Sequence, residues 1–190
     1  MTRFKKTKFF LFCYAAKIDS YPINSYTWKN PMTSMTSITS IPSITSISSD
    51  SIKIGCELFV VRDNALLLGK RKNCYGEGTW GLPGGHLEYG ETLIECARRE
   101  LREELDIEAL SLHPIIITDN LNYRGHYVHV SFLVKEFSGE IRCNEPHLCY
   151  EWRFFQQTDL PANIFPPHNK ILKAYFDGKC YLQETEASLS

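Results

Sequence analysis

Glu103 and Glu104 follow Glu100 by three and four positions. On a helix of 3.6 residues per turn the three side chains fall within an arc of roughly 100°. Ile94, Ala97, Leu101 and Leu105 form an adjacent apolar arc that would dock such a helix on a core. Like charges at this spacing repel by roughly a few tenths of a kcal/mol per pair, so a cation or nearby arginines must offset them. Arg98, Arg99 and Arg102 are at hand, but they are expected to point mainly to the flanks. Hard oxygen ligands suit Mg2+, with Mn2+ as its substitute, far better than zinc. The alternative is a solvated helix face laced with salt bridges. The preceding Trp80-Gly81-Leu82-Pro83-Gly84-Gly85-His86 counts against it, because Pro followed by two Gly lets backbone approach a ligand or adopt positive φ.

The spacing from Gly85 to Ile107 resembles the signature of the Nudix hydrolases. Gly85 and Glu91 flank five residues, and seven more precede Arg99-Glu100-Leu101; Glu103-Glu104 and Ile107 complete the match. Asp106 departs from the glycine that usually ends the helix there, and Asp is one of the few other residues that tolerates left-handed φ. The resemblance covers residues 52–183. Upstream, Leu66 to Lys72 resembles the second strand of that fold, and Leu82 to Glu88 resembles MutT-like nucleotide pyrophosphohydrolases. Downstream, Glu145-Pro146, Cys149, Glu151-Trp152 and Leu160-Pro161 resemble the run after the last sheet strands. Leu148 stands where many relatives carry lysine.

Cleaving a pyrophosphate link with water requires phosphate charge to be neutralised, a nucleophile activated and a leaving phosphate stabilised, all of which a divalent cation can do. Glu103 and Glu104 are the first expected metal ligands. The resemblance implies that the Gly84 carbonyl joins them, with Glu100 as ligand or general base and Glu145 as a further ligand or base. The catalytic candidates are therefore Glu100, Glu103 and Glu145, and the metal candidates Gly84, Glu100, Glu103 and Glu104. Glu91 and Arg99 are expected to clamp the loop to the helix. Lys70, Arg71, His86, Tyr127 and Trp152 are the substrate-binding candidates; Tyr123, His126 and Phe154 could also stack on a base. The closest implied activity is hydrolysis of a nucleoside triphosphate to monophosphate and pyrophosphate. Nucleotide sugars or ADP-ribose are the alternative substrates, and a non-catalytic nucleotide-binding module is the alternative role. Such modules usually lack a metal-ligating glutamate, and here all are present.

Residues 1–49 hold six Lys and Arg against Asp19, a charge of +5; the chain total of -1 therefore leaves -6 for the remainder. An acidic catalytic domain argues against a nucleic-acid polymer as partner, since backbone binding needs a basic face. Seven cysteines without a close pair imply reduced thiols rather than a disulfide framework, and a cytoplasmic setting. Residues 1–51 form an extension of a different kind. Met32 to Ser51 is almost entirely Ser, Thr and Ile, the composition of a disordered linker, and Phe9 to Ala16 after a basic start resembles a secretory signal or organelle presequence. A true start at Met32 or Met35 is the competing reading. The apolar run is too short to span a bilayer, so no membrane partner is expected.

Positioning the carboxylates requires a scaffold, and the resemblance implies an α/β fold: the Nudix-type α/β/α sandwich with a mixed sheet and a catalytic loop-helix-loop. It would occupy residues 52–185, with 186–190 as a flexible tail; a homodimer is a possible assembly. Strands are expected over Lys53 to Val61 and Ala65 to Arg71 around an Asp63-Asn64 hairpin turn. Further strands are expected over Ser111 to Thr118, His126 to Phe137, Gly139 to Arg142 and, as the last, Trp152 to Phe155. The catalytic helix should run from near Thr92 to Leu105, and a final helix from Asn169 to Phe176.

Overall fold

The computed structural model describes residues 51–122 and 125–185. The N-terminal extension, Tyr123 and the 186–190 tail lie outside them. Strand β1 (Lys53–Arg62) carries Cys56, Leu58 and Val60 on one face and Phe59 on the other. Both faces are covered, which is why its centre is a continuous buried run. Asp63 and Asn64 adopt φ of 52° and 61°, the left-handed pair that a tight hairpin demands, and return the chain as β2 (Ala65–Arg71).

Then follow β3 (Trp80–Gly81), helix α1 (Leu93–Leu105), β4 (Glu108–Ala109), β5 (His113–Asn122), β6 (Gly125–Val134), β7 (Phe137–Ser138), β8 (Cys149–Phe155), helix α2 (Pro166–Phe176) and β9 (Tyr181–Thr185). The main sheet has the order β3-β2-β1-β6-β5-β9, with β8 lying on β2. It is mixed: β1 runs parallel to β6 and β5 parallel to β9, whereas the other pairs are antiparallel. Ala97, Leu101 and Leu105 of α1 join Leu58, Val60 and Leu67 in one core, and Ile171, Leu172 and Ala174 of α2 join Phe59, Leu68 and Trp80 in the other. The expected helix-sheet-helix layering is therefore present. Among the described residues no helix is long and apolar enough to cross a membrane, and the six described cysteines are free.

Three expectations need correction. Residues 139–142 are not a strand: Arg142 N–H donates to the Leu105 carbonyl at 3.0 Å, so this stretch docks on the end of α1. The short strand is β7 instead, paired with β4. Residues 152–155 belong to a longer β8, and β9 follows it on the opposite edge. Helix α2 begins at Pro166 rather than Asn169, because first-turn N–H groups have no partner within the helix and proline sacrifices nothing there.

Strands β1 and β2 pair only at their hairpin end, Val61 with Leu66 and Arg62 with Ala65, and then diverge. The chain after β3 takes the vacated edge of β1. Leu58 N–H donates to the Pro83 carbonyl and Cys56 N–H to the Gly85 carbonyl, both at 2.9 Å, and Leu87 N–H to Ile54 at 2.8 Å. Sheet hydrogen bonding thereby anchors the glycine turn beside α1.

Candidate active site

Gly84 sits at φ +133°, and a Cβ there would collide with the carbonyl oxygen of Cys56; one on Gly85 would collide with the Glu100 carboxylate. The turn needs both glycines because backbone and carboxylate approach within the space of a methyl group. The bonded carbonyls of Pro83 and Gly85 flank that of Gly84.

Helix α1 starts in a capping box. Thr92 Oγ1 accepts the Glu95 N–H at 3.3 Å, and the Glu95 carboxylate accepts the Thr92 N–H at 2.7 Å, an arrangement worth about 1 kcal/mol. At the other end Asp106 adopts φ 59° and ψ 36°, the left-handed cap expected of the residue standing in for glycine. The helix therefore keeps its terminus, and Glu100, Glu103 and Glu104 project beside the turn.

Arg99 is not on the flank but among the acids. Its guanidinium donates to Glu91 at 2.8 and 3.1 Å, to Glu100 at 2.8 Å, to Glu103 at 3.0 Å and to the His86 carbonyl at 3.0 Å. The hydrogen bonds from Arg99 hold the Glu91 carboxyl down at about 2. The Glu91–Arg99 clamp between loop and helix is thus present. Burial raises Glu100, although Arg99 opposes it. Burial likewise pushes Glu104 up to about 8, with Glu100 and Glu145 adding repulsion, while the Gly84 N–H donates to it at 3.0 Å. Among the described residues no three acidic, histidine or cysteine side chains form a ready-made cage. Arg99 occupies the oxygens of Glu100 and Glu103 instead.

The carboxylates nevertheless fit a hard divalent cation. They are anionic oxygen donors, and Glu104 is a half-buried carboxylate at which a second positive charge would relieve both burial and repulsion. A groove beside them is lined by Arg71, Gly84, Glu104, Glu145, Leu148 and Trp152. Trp152 lies flat on β2, where any Cβ on Gly69 would stand 2.5 Å from its ring. Arg71 donates to the Tyr75 carbonyl at 2.9 Å and stacks over Phe165. The loop bearing Glu145 is strapped down by Lys72 and Asn73, which donate to the carbonyls of Pro146 and His147, and by Asn144, which donates to Arg102 at the end of α1.

The substrate-binding candidates separate. Arg71 and Trp152 line the groove; His86 and Tyr127 form a ring cluster with His129. Lys70 joins neither, its ammonium lying over Tyr150. Of the extra aromatic candidates, His126 is bonded to Asp119 and Phe154 packs against the α1-side core. Sequence reasoning passed over Glu57, His129 and His168. One signal was available: Glu57 interrupts the run Cys56-Glu57-Leu58-Phe59-Val60 with a charge.

A family model described as the NUDIX domain matches residues 55–175. The chain is 34% identical over 122 residues to the ADP-ribose pyrophosphatase of Methanocaldococcus jannaschii, covering 63% of this chain and 70% of that one. A shorter stretch of 58 residues is 41% identical to the oxidized purine nucleoside triphosphate hydrolase of Danio rerio, covering 30% and 37% of the two chains. The crystal structure of a MutT NUDIX hydrolase from Burkholderia pseudomallei is similar with a TM-score of 0.61 and 32% identity, over 65% of this chain and 97% of its own. A match of that extent, laid over a glycine turn and an acidic helix suited to a phosphate-bound cation, makes the chain a member of the Nudix family and a pyrophosphohydrolase.

Proposed function

We propose that the protein hydrolyses the pyrophosphate bond of a nucleoside diphosphate joined to a sugar, an ADP-ribose-like compound. The similarity to an ADP-ribose pyrophosphatase across 70% of that protein supports this reading over the triphosphate expected from sequence. The shorter match to a purine triphosphate hydrolase keeps a nucleoside triphosphate as the second reading. Nudix enzymes as a family use a divalent metal ion. Here Glu103, Glu104 and the Gly84 carbonyl would hold Mg2+ or Mn2+, with Glu100 beside them, and the cation would supply charge neutralisation for the diphosphate. Arg71 in the groove meets phosphate oxygens, and Trp152 forms a wall of the same groove.

Water adds to one phosphorus, the bridging oxygen leaves with the other phosphoryl group, and the proton of water passes to a carboxylate. Glu145 suits that last role: it faces the groove, its loop is strapped in place, and among the described residues no guanidinium holds its oxygens. Glu100 is the competing base, kept basic by burial but occupied by Arg99.

The observation that carries the proposal is Glu104 beside Gly84 and Glu145 in one groove. The test incubates the full chain with Mg2+ and either ADP-ribose or a nucleoside triphosphate. AMP with ribose 5-phosphate is the expected product pair, and Glu103→Gln should lower kcat by at least about 100-fold. Near-native turnover in that variant would remove the site from consideration.

A further inference from the structure

Glu57 is a carboxylate that the reaction above leaves unused, and it is only 4% exposed. Its place is set by register: Gly55 lies opposite His129 and Glu57 opposite Ser131 across β1 and β6, while Thr118 of β5 lies opposite His129. These residues share the α2 side of the sheet. Burial pushes the Glu57 carboxyl up, yet it is held below the ordinary range because His129 Nδ1 and the Ser131 hydroxyl donate to it at 2.7 and 2.8 Å. Facing it, His168 accepts the Leu82 N–H on Nδ1 at 2.9 Å, and burial lowers it to about 4, so its proton resides on Nε2. The Thr118 hydroxyl, in a residue 3% exposed, has no hydrogen-bond partner among the described residues. A buried polar layer with an unused hydroxyl is costly unless something else engages it.

The layer opens outward through His129, whose side chain is 26% exposed. Its ring lies 6.2 Å from His86 and 6.1 Å from Tyr127, and Lys53 donates to the Tyr127 hydroxyl at 3.2 Å. A Cβ on Gly55 would stand 3.1 Å from His129 and also against the Gly85 carbonyl. Only the missing side chain of Gly55 separates the His129 ring from the glycine turn.

We propose that Glu57 and His129 select the nucleobase, His129 Nε2 accepting a hydrogen bond from the exocyclic amino group of a base stacked on the His86 and Tyr127 rings. The proposal rests on the substrate's carrying a nucleoside diphosphate, as above. Because His129 Nδ1 donates to the Glu57 carboxylate, Nε2 is the ring nitrogen left to offer a lone pair. That lone pair accepts from the 6-amino group of adenine and is opposed by the 6-oxo group of hypoxanthine. The ring faces stack on either base alike, so discrimination falls on the single hydrogen bond. Glu57 is a positioning residue, acting through the tautomer of His129.

Calorimetric binding of AMP and IMP to the full chain reads the preference without requiring hydrolysis. The native protein should favour AMP by about tenfold, the effect of one unmatched buried polar group. His129→Phe should bring the ratio close to one, Glu57→Gln should lower it by freeing the tautomer, and His129→Gln, which keeps an acceptor, should restore part of it. Circular dichroism checks that each variant is folded. A native ratio near one, or a native ratio retained by His129→Phe, overturns the proposal. If neither ADP-ribose nor a triphosphate is hydrolysed, the proposed activity falls separately, and the AMP to IMP ratio still decides the role of the pair.

Discussion

Arg99 is where the mutual repulsion of the acidic helix is resolved. One planar guanidinium serves three carboxylates and a backbone carbonyl, a geometry that a point-charge ammonium cannot reproduce. Arg99→Lys keeps the charge but should lower kcat by about tenfold to 100-fold, the usual cost of losing the groups that orient metal ligands, and raise the Mg2+ concentration for half-maximal rate. An unchanged Mg2+ titration would show that the fork is dispensable. Glu145→Gln should reduce kcat with little change in KM if that carboxylate takes the proton from water, by about 100-fold. An increase in KM alone would instead assign it to binding. The glutamates were legible from spacing because helical periodicity is local. The placement of Arg99 was only half legible: the clamp to Glu91 could be read, whereas its simultaneous grip on Glu100 and Glu103 depends on how the loop folds back.

Helix α1 is the element most completely written in its own residues. Thr92 and Glu95 start it, the apolar arc docks it and Asp106 ends it. Asp106→Ala places a side chain with no local hydrogen-bonding capacity in left-handed backbone and should destabilise the protein by about 1 kcal/mol in urea denaturation. Equal stability would mean that the cap tolerates any residue. The two-residue strands β3, β4 and β7 are at the other extreme. No periodicity can announce a strand that short; Glu108–Ala109 and Phe137–Ser138 are strands only because each finds the other. Helix α2 was legible except for its first turn, where proline reads as a stop unless its position in the helix is known.

At the scale of the whole molecule, the acidic site couples stability to pH. Glu104 has a folded value near 8 against an ordinary 4.5, so the native state binds more protons than the unfolded chain between those limits. Its contribution is fully present below about pH 4.5 and is lost as pH rises through about 8. His168, lowered to about 4 from 6.5, acts oppositely: its contribution is present above pH 6.5 and lost as pH falls through 4. Between pH 6.5 and 8 only the Glu104 effect operates among these two. Metal-free protein should therefore lose on the order of 1–2 kcal/mol across that window, discounted for partial exposure. Millimolar Mg2+ should suppress the loss, and Glu104→Gln should abolish it. Thermal melts over that range provide the check, and a slope unaffected by both changes would separate Glu104 from the pH response.

By itself the sequence determined what is local along the chain: an acidic helix at a periodic spacing, its caps, a glycine turn before it and a tight hairpin ahead of both. Each depends on contacts within a few residues, where dihedral preference and helical pitch are enough. Only the tertiary structure decided that Glu57 meets His129 across 72 positions, that the loop of Glu145 rests on the end of α1, and that β9 closes the far edge of the sheet. Those arrangements follow from strand register and from the way two cores share one sheet, which no short window of residues encodes.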